Sequence, residues 1–376
     1  MFDLSRTERG IALPMAIFAL VVIGGMVAGS FFIATQEQAV GRNSVLLQQA
    51  FSAAEEGAQW QMANWESATY NALAVGDSVT FSGTLSTGTG WYRGSIRRLS
   101  DMMFLVRSEG FNRDSTTRQQ LGLLARLRPI EVTVRSALAT TGTTDLRGSS
   151  LVSGHDVNPP DTEGCDLGAS LPGVTTSGTI TGNCGTDCIE GSDPKVDYDP
   201  TLTNDSLLTF GDLTFDDLEA LATVTYTSTS ATGQQVEPSV TADGRCNTSN
   251  WRNWGEPHVS GGVDACRDHF PIIYITGDLK VTGVRGQGIL VVDGDLDVSG
   301  NLEFYGVIIV RGNLRAATGT PLLNGTIVAG GGTDLEPLNT VAGNPTVRYS
   351  SCSVTRALTT SAKADLLQER SWINLY

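Results

Sequence analysis

The chain has 376 residues, and 25 Lys and Arg against 40 Asp and Glu leave a net charge of −15. So acidic a balance argues against nucleic acid as the main partner, because phosphate binding needs clustered cations. A hydrophobic share of 40% excludes wholesale disorder, and the length points to two or three folded units.

The first element is apolar. Ile11 to Ile33 carry no charged side chain, and as a helix this run is about 34 Å long, enough to cross the hydrocarbon core of a bilayer. Arg6 and Arg9 precede it, and Gln36, Glu37 and Gln38 follow. The positive-inside rule then keeps the short N-terminus in the cytoplasm and sends the rest outside. Two plain readings are an uncut signal anchor and a secretory signal cut near Ala28 and Gly29. The apolar run continues through Phe31, Phe32 and Ile33, which disfavours the second.

The junction is more specific. Arg6-Thr-Glu-Arg-Gly10 abuts Ile11-Ala-Leu-Pro-Met15, a short polar leader ending in Gly directly against the apolar helix. This resembles the class III signal of type IV prepilins and type II secretion pseudopilins. The resemblance implies a cut between Gly10 and Ile11 by a prepilin peptidase on the cytoplasmic side. It also implies an inner-membrane, single-pass protein before assembly, with its bulk in the periplasm or at the cell surface. The implied partners are other pilins or pseudopilins, reached through the helix. That family places Glu at the fifth residue after the cut, where this chain has Met15. The departure points to a minor or tip-proximal subunit, since an unpaired buried carboxylate is costly.

Val40, Leu47, Phe51, Ala54, Ala58, Met62 and Trp65 recur at helical spacing, which predicts that the helix continues with this stripe facing a core. Within it, Gln48-Gln-Ala-Phe-Ser-Ala-Ala-Glu-Glu-Gly57-Ala-Gln resembles the QAFxAAExG segment of PilX-type minor pilins. Trp91–Leu99 and Met103–Ser108 flank the turn pair Ser100-Asp101, a hairpin signal, and Gln119–Leu127 follows as a third strand. A long helix on a small antiparallel sheet is also the architecture that the resemblance implies.

After Pro129 a repeat emerges. Tyr274-Ile-Thr-Gly-Asp-Leu-Lys-Val-Thr-Gly283 returns as Val291–Gly300 and as Ile309–Ala317, at offsets of 17 and 18 residues. One such unit cannot bury its apolar face alone, but stacked units can. This predicts a short β-solenoid, a parallel β-helix, with Ser136–Gly154 as an early coil. An antiparallel meander is the alternative. The stretch 155–268 reads as an insertion that interrupts the repeat, with Phe215–Ala222 helical. A second helix is expected at Ser361–Arg370, and Trp372, Ile373 and Leu375 are expected to cap the stack. The blocks Asn253-Trp-Gly255, Phe270–Tyr274, Gly286–Leu296 and Phe304–Gly312 resemble the body fused to PilX-type anchors, which brings no enzymatic activity with it.

The six cysteines are Cys165, Cys184, Cys188, Cys246, Cys266 and Cys352. In an exported chain they read as disulfides, with fifteen pairings open. A Cys246–Cys266 bond is favoured over a zinc site of Cys246, His258, Cys266 and His269. Asp293, Asp295 and Asp297 fail as an EF-hand loop, since Val298 and Phe304 stand where Gly and Glu belong. The loop carboxylates Asp193, Asp197, Asp199 and Asp205 are a weaker calcium candidate. Asp278, Asp293 and Asp295 with Arg285 and Arg311 are the candidates for glycan chemistry on the solenoid.

The expectation is an α+β chain with a leader (1–10), a transmembrane and pilin-type helix (11–66) and an antiparallel sheet (67–129). A solenoid-like domain (130–376) follows, with a disulfide-stapled insertion (155–268) and a cap (353–376). Its function is expected to be assembly and tip display in a type IV pilus or pseudopilus, without a cofactor, a metal or turnover chemistry. An adhesin or structural envelope protein outside any filament is the first alternative, and a polysaccharide-acting enzyme the second.

Overall fold

The structure is a computed structural model that describes residues 12–367 and 372–374, apart from 129, 160–164, 212, 228–229, 233–235, 258–263, 319, 332–337 and 342–344. The chain divides into two compact units. Unit 1 holds residues up to Asn64, Val75–Ala125 and the tail from Leu366, and unit 2 holds Trp65–Ala74 and Arg126–Asp365.

In unit 1 a single helix, α1 (Ala12–Ala63), runs for 52 residues. Its C-terminal turns lie on an antiparallel meander of β1 (Ser78–Thr84), β2 (Gly90–Ser100), β3 (Met103–Asn112) and β4 (Arg118–Arg128). The expected stripe holds at Ala54 and Ala58 and fails at its start. Val40 and Leu47 are 64% and 43% exposed, while Ala50, Ala53, Ala54, Gly57, Ala58 and Gln61 are buried. Small residues win because the contact is backbone on backbone. A Cβ on Gly110 of β3 would collide with the carbonyl of Ala50 and the amide of Ala54, and one on Gly57 would meet the Tyr92 ring. Larger side chains there would hold helix and sheet apart.

Unit 2 is built from parallel ladders. In one sheet the strands run in the order Ile189–Glu190, Leu151–Ser153, Thr346–Tyr349, Leu322–Ala329, Glu303–Val310, Arg285–Val292, Ile272–Ile275 and Val224–Tyr226. In another the order is Ser230–Thr232, Leu279–Thr282, Leu296–Ser299, Leu314–Thr318, Leu338–Val341, Thr143–Leu146 and Ile180–Thr181. The repeat sets the register: Leu279 lies beside Leu296, and Leu296 beside Leu314. Parallel pairing overturns the antiparallel meander, whose strands would need alternating directions.

The three eight-residue strands of unit 2 bend at aligned glycines. Gly288, Gly306 and Gly325 sit side by side in the ladder with φ of 107°, 135° and 147°. Only glycine adopts such angles without strain. Any Cβ here would also strike the carbonyl of the neighbouring strand, Gly288 O for Gly306 and Gly306 O for Gly325. Beyond the bend, Leu290, Val292, Ile308, Val310 and Ile327 join the main core with Leu296, Val298 and Leu314. The alternate residues Ile289, Val291, Val307 and Ile309 form a second core with Val354 and Ala357 of the helix Ser351–Ser361 and with Phe210, Phe215 and Leu218. Burial on both faces explains the unbroken apolar runs.

The stretch 155–268, expected as an insertion, supplies strands at both ends of the stack. Val174–Thr176 pairs with Leu138–Thr140, and Val196–Tyr198 pairs with Val174–Thr176. At the opposite end Val224–Tyr226 pairs with Ile272–Ile275. Leu138–Thr140 itself pairs with Ile327–Ala329, so this strand, expected at the start of the repeat, has a parallel partner on each side. Such a stretch escapes a repeat search because its strands are only two or three residues long. The C-terminal helix is also displaced. It spans Ser351–Ser361, with Ser350 as N-cap accepting from the Ser353 amide, and not Ser361–Arg370. Trp372–Asn374, expected in a solenoid cap, pairs with β4 in unit 1, where Ile373 adds an antiparallel strand beside Gly122.

Candidate membrane and assembly interface

The N-terminal half of α1 offers nothing for a protein core. Leu13, Met15, Phe18, Leu20, Phe31 and Phe32 are all exposed, Met15 at 64%. The helix contains a stretch long and apolar enough to cross a membrane, and none of that stretch is buried. Its hydroxyls are satisfied within the helix. Ser30 donates to the Met26 carbonyl and Thr35 to the Phe32 carbonyl, both at 2.8 Å. Internal pairing of this kind is what hydrocarbon requires, since a lost hydrogen bond there has no water to replace it. Gly10 and Ile11, the residues of the expected cut, lie outside the described residues.

The six cysteines form three pairs, Cys165–Cys352, Cys184–Cys188 and Cys246–Cys266. The last consumes both thiolates of the zinc alternative, whose His258 lies outside the described residues. Asn253 holds this disulfide, donating through Nδ2 to Cys246 Sγ at 3.1 Å, to Cys266 Sγ at 3.3 Å and to the Asn247 carbonyl at 3.0 Å. His269 is buried beside this loop, and its Nε2 has no hydrogen-bond partner among the described residues. Desolvation pushes its pKa down to about 4, against a weaker opposing bond to the Asn253 backbone.

The candidate calcium ligands do not converge. Among the described residues no three His, Cys, Asp or Glu side chains form a group suited to a metal ion. Asp199 instead accepts from the Thr201 amide and hydroxyl at 2.9 and 2.6 Å and pairs with Arg135 at 3.4 Å. Those two bonds to Thr201 hold its pKa below the usual carboxylate range.

The candidate catalytic carboxylates are engaged in the repeat itself. Asp278 Oδ1 accepts the Asp295 amide, and Asp295 Oδ1 accepts the Asn313 amide. Asp293 pairs with Arg311 at 2.8 Å, and Arg311 also reaches Asp216 at 3.4 Å. Arg285 pairs with the buried Glu256 at 2.9 Å. The contacts of Asp278, Asp293 and Asp295 join neighbouring repeat units.

Three polar residues carry structural roles that the periodicity did not signal: Asn71, Asn253 and Glu256. Asn71 Nδ2 donates to the carbonyls of Thr359, Thr360 and Ala362 at 3.0, 3.2 and 2.8 Å, closing the C-terminal end of the helix Ser351–Ser361. A buried Asn in a polar stretch has no sequence pattern to mark it. Glu256 had a faint signal, a lone carboxylate between Trp254 and Pro257.

No protein-family model matches the chain, and no curated protein matches it. Among solved structures it is similar to the competence-associated pilin ComZ from Thermus thermophilus. That likeness has 14% identity and a TM-score of 0.27, over 88% of this chain and 97% of that one. At this level it fixes neither fold nor function.

Proposed function

We propose that the chain is a pilin-like minor subunit, anchored by α1, processed between Gly10 and Ile11 and carried into a type IV pilus or pseudopilus. One observation carries this reading. A single unbroken helix is exposed and apolar through its first turns and buried against an antiparallel sheet through its last. A mere membrane tether has no need to continue as the spine of a folded unit. The junction Arg9-Gly10-Ile11 and the segment Gln48–Gln59 add to it.

The partners on this reading are a prepilin peptidase, the inner membrane and the helices of other pilins. Met15 in place of the family's Glu fits a position with no neighbouring amine to neutralise, at or near a tip. We read the parallel stack of unit 2 as a short β-solenoid displayed outward, a rigid carrier for contact with a surface, with no turnover chemistry in its role. Its turns stack Asp278, Asp295 and Asn313 in hydrogen bonds, which supports a scaffold role for those residues. The test is Gly10→Ala in a strain with an active prepilin peptidase. The substituted protein keeps its leader and drops out of sheared filaments, whereas unchanged size and unchanged partners would refute the reading.

A further inference from the structure

The net charge is unevenly shared. Unit 1 contains ten acidic and ten basic residues, so the whole surplus of −15 belongs to unit 2. Every base of unit 1 is an arginine. Within unit 1 the strands β1–β4 contain five arginines and a single acid, Glu109.

Strand alternation sends Arg93, Arg97, Arg107 and Arg118 with Glu109 to one face, while Arg98 shares the face of Tyr92 and Ile96. Phe104, Val106 and Ser108 of β3 are buried, while Arg107 is exposed and Glu109 lies between. On β2, Tyr92 and Ile96 are buried, and Arg93 and Arg97 are exposed. In the ladder Arg93 lies opposite Glu109 and Ser95 opposite Arg107. The outward face therefore presents Arg93, Arg97, Arg107 and Arg118 around one carboxylate. Glu109 meets Arg93 at 3.0 Å, but Arg107 and Arg118 only at 3.9 and 4.0 Å. Their side chains are 57%, 50% and 60% exposed respectively. One carboxylate cannot neutralise four guanidiniums, and their planar forks suit further carboxylates.

We propose that this outward arginine face of β1–β4 docks the acidic unit 2 of a second copy of the chain. Charge complementarity selects that occupant. Unit 2 has thirty acids against fifteen bases, and residues 187–219 alone hold ten acids and one Lys. Such a contact joins unlike surfaces, the arginine face of one copy and the acidic unit of the next. The inference does not depend on leader cleavage, which the arginines do not touch.

Sedimentation velocity of the full chain in detergent tests it. Wild type self-associates at about 50 mM NaCl, and the association weakens about tenfold or more at about 500 mM, where surface charges are screened. Arg107→Gln with Arg118→Gln, the two arginines held most loosely by Glu109, weakens low-salt association about fivefold with an unchanged melting curve. Should that pair fail to fold, Glu109→Gln gives the opposite arm, because it enlarges the positive surplus and tightens association. A wild type that stays monomeric at low salt overturns the proposal. So does association, as through the apolar helices, that neither salt nor these substitutions move. Retention of single-stranded DNA or anionic vesicles by the arginine face of a monomeric chain overturns it as well.

Discussion

Asp295 accepts the backbone amide of Asn313 through Oδ1 at 2.7 Å, and Asp278 accepts that of Asp295 in the same way at 2.9 Å. The Asp that follows the turn glycine therefore serves as the acceptor for the amide one repeat further on. This gives the repeated Gly-Asp-Leu a physical cause, while Asn313 of Gly-Asn-Leu donates to Asp295 through its amide and through Nδ2. Asp295→Ala leaves the Asn313 amide without this acceptor and destabilises unit 2 by about 1–2 kcal/mol, while Asp295→Asn keeps an oxygen in place and costs less than about 1 kcal/mol. Urea midpoints of the two variants check the ranking.

The glycine column predicts a contrast between two positions that both have positive φ. Gly306 has φ 135° and a carbonyl in the path of any Cβ, whereas Gly300 has φ 94° and its nearest neighbour, Thr282 Cγ2, at 3.4 Å. Gly300→Ala adds backbone strain alone, about 1 kcal/mol, and Gly306→Ala adds that strain and a backbone collision, about 3 kcal/mol or more. Thermal melting of the pair measures the difference.

Cys165 and Cys352 lie 187 residues apart, and their bond fastens the helix that covers Ile289, Val291, Val307 and Ile309. Chain-entropy arguments put the stabilisation from so long a loop at about 5 kcal/mol as an upper bound. Cys165→Ser with Cys352→Ser lowers the melting temperature and removes hydrogen-exchange protection from Ser351–Ser361. The same substitutions at Cys184 and Cys188, four residues apart, have a smaller effect.

His269 makes stability depend on pH. Its native pKa of about 4 lies below the ordinary 6.5, so in the window between them the unfolded chain binds a proton that the native chain does not. Stability therefore falls as pH drops through that window and levels off, for this residue, below it. The loss between about pH 7 and about pH 5 is about 2 kcal/mol. His269→Gln removes that part of the slope, which denaturation at the two pH values reads directly.

The sequence was informative where side chains repeat or alternate. The 17- and 18-residue offsets reappear as the registers of Leu279, Leu296 and Leu314. The turn at Ser100-Asp101 joins β2 to β3, with an irregularity between Arg98 and Ser100. Less was legible where contact depends on what is missing. The face of α1 is set by Ala50, Ala53 and Gly57, whose value is their smallness, beside the Ala54 and Ala58 of the stripe, while a hydrophobic count also favours the exposed Val40 and Leu47. The ends of the stack rest on strands too short for periodicity. The partner of Cys352 was hidden because it depends on where the helix Ser351–Ser361 lies. The arginine face was visible as composition, but only the alternation of β2 and β3 turns it into a surface.

The account stands on the fate of the leader. Intact mass and N-terminal sequencing of the protein recovered from membranes and from sheared fibres measure it directly. The predicted product begins at Ile11 and retains α1. A product that still begins at Met1, or one cut near Ala28 and released from the membrane, contradicts the account and leaves a tethered or secreted β protein.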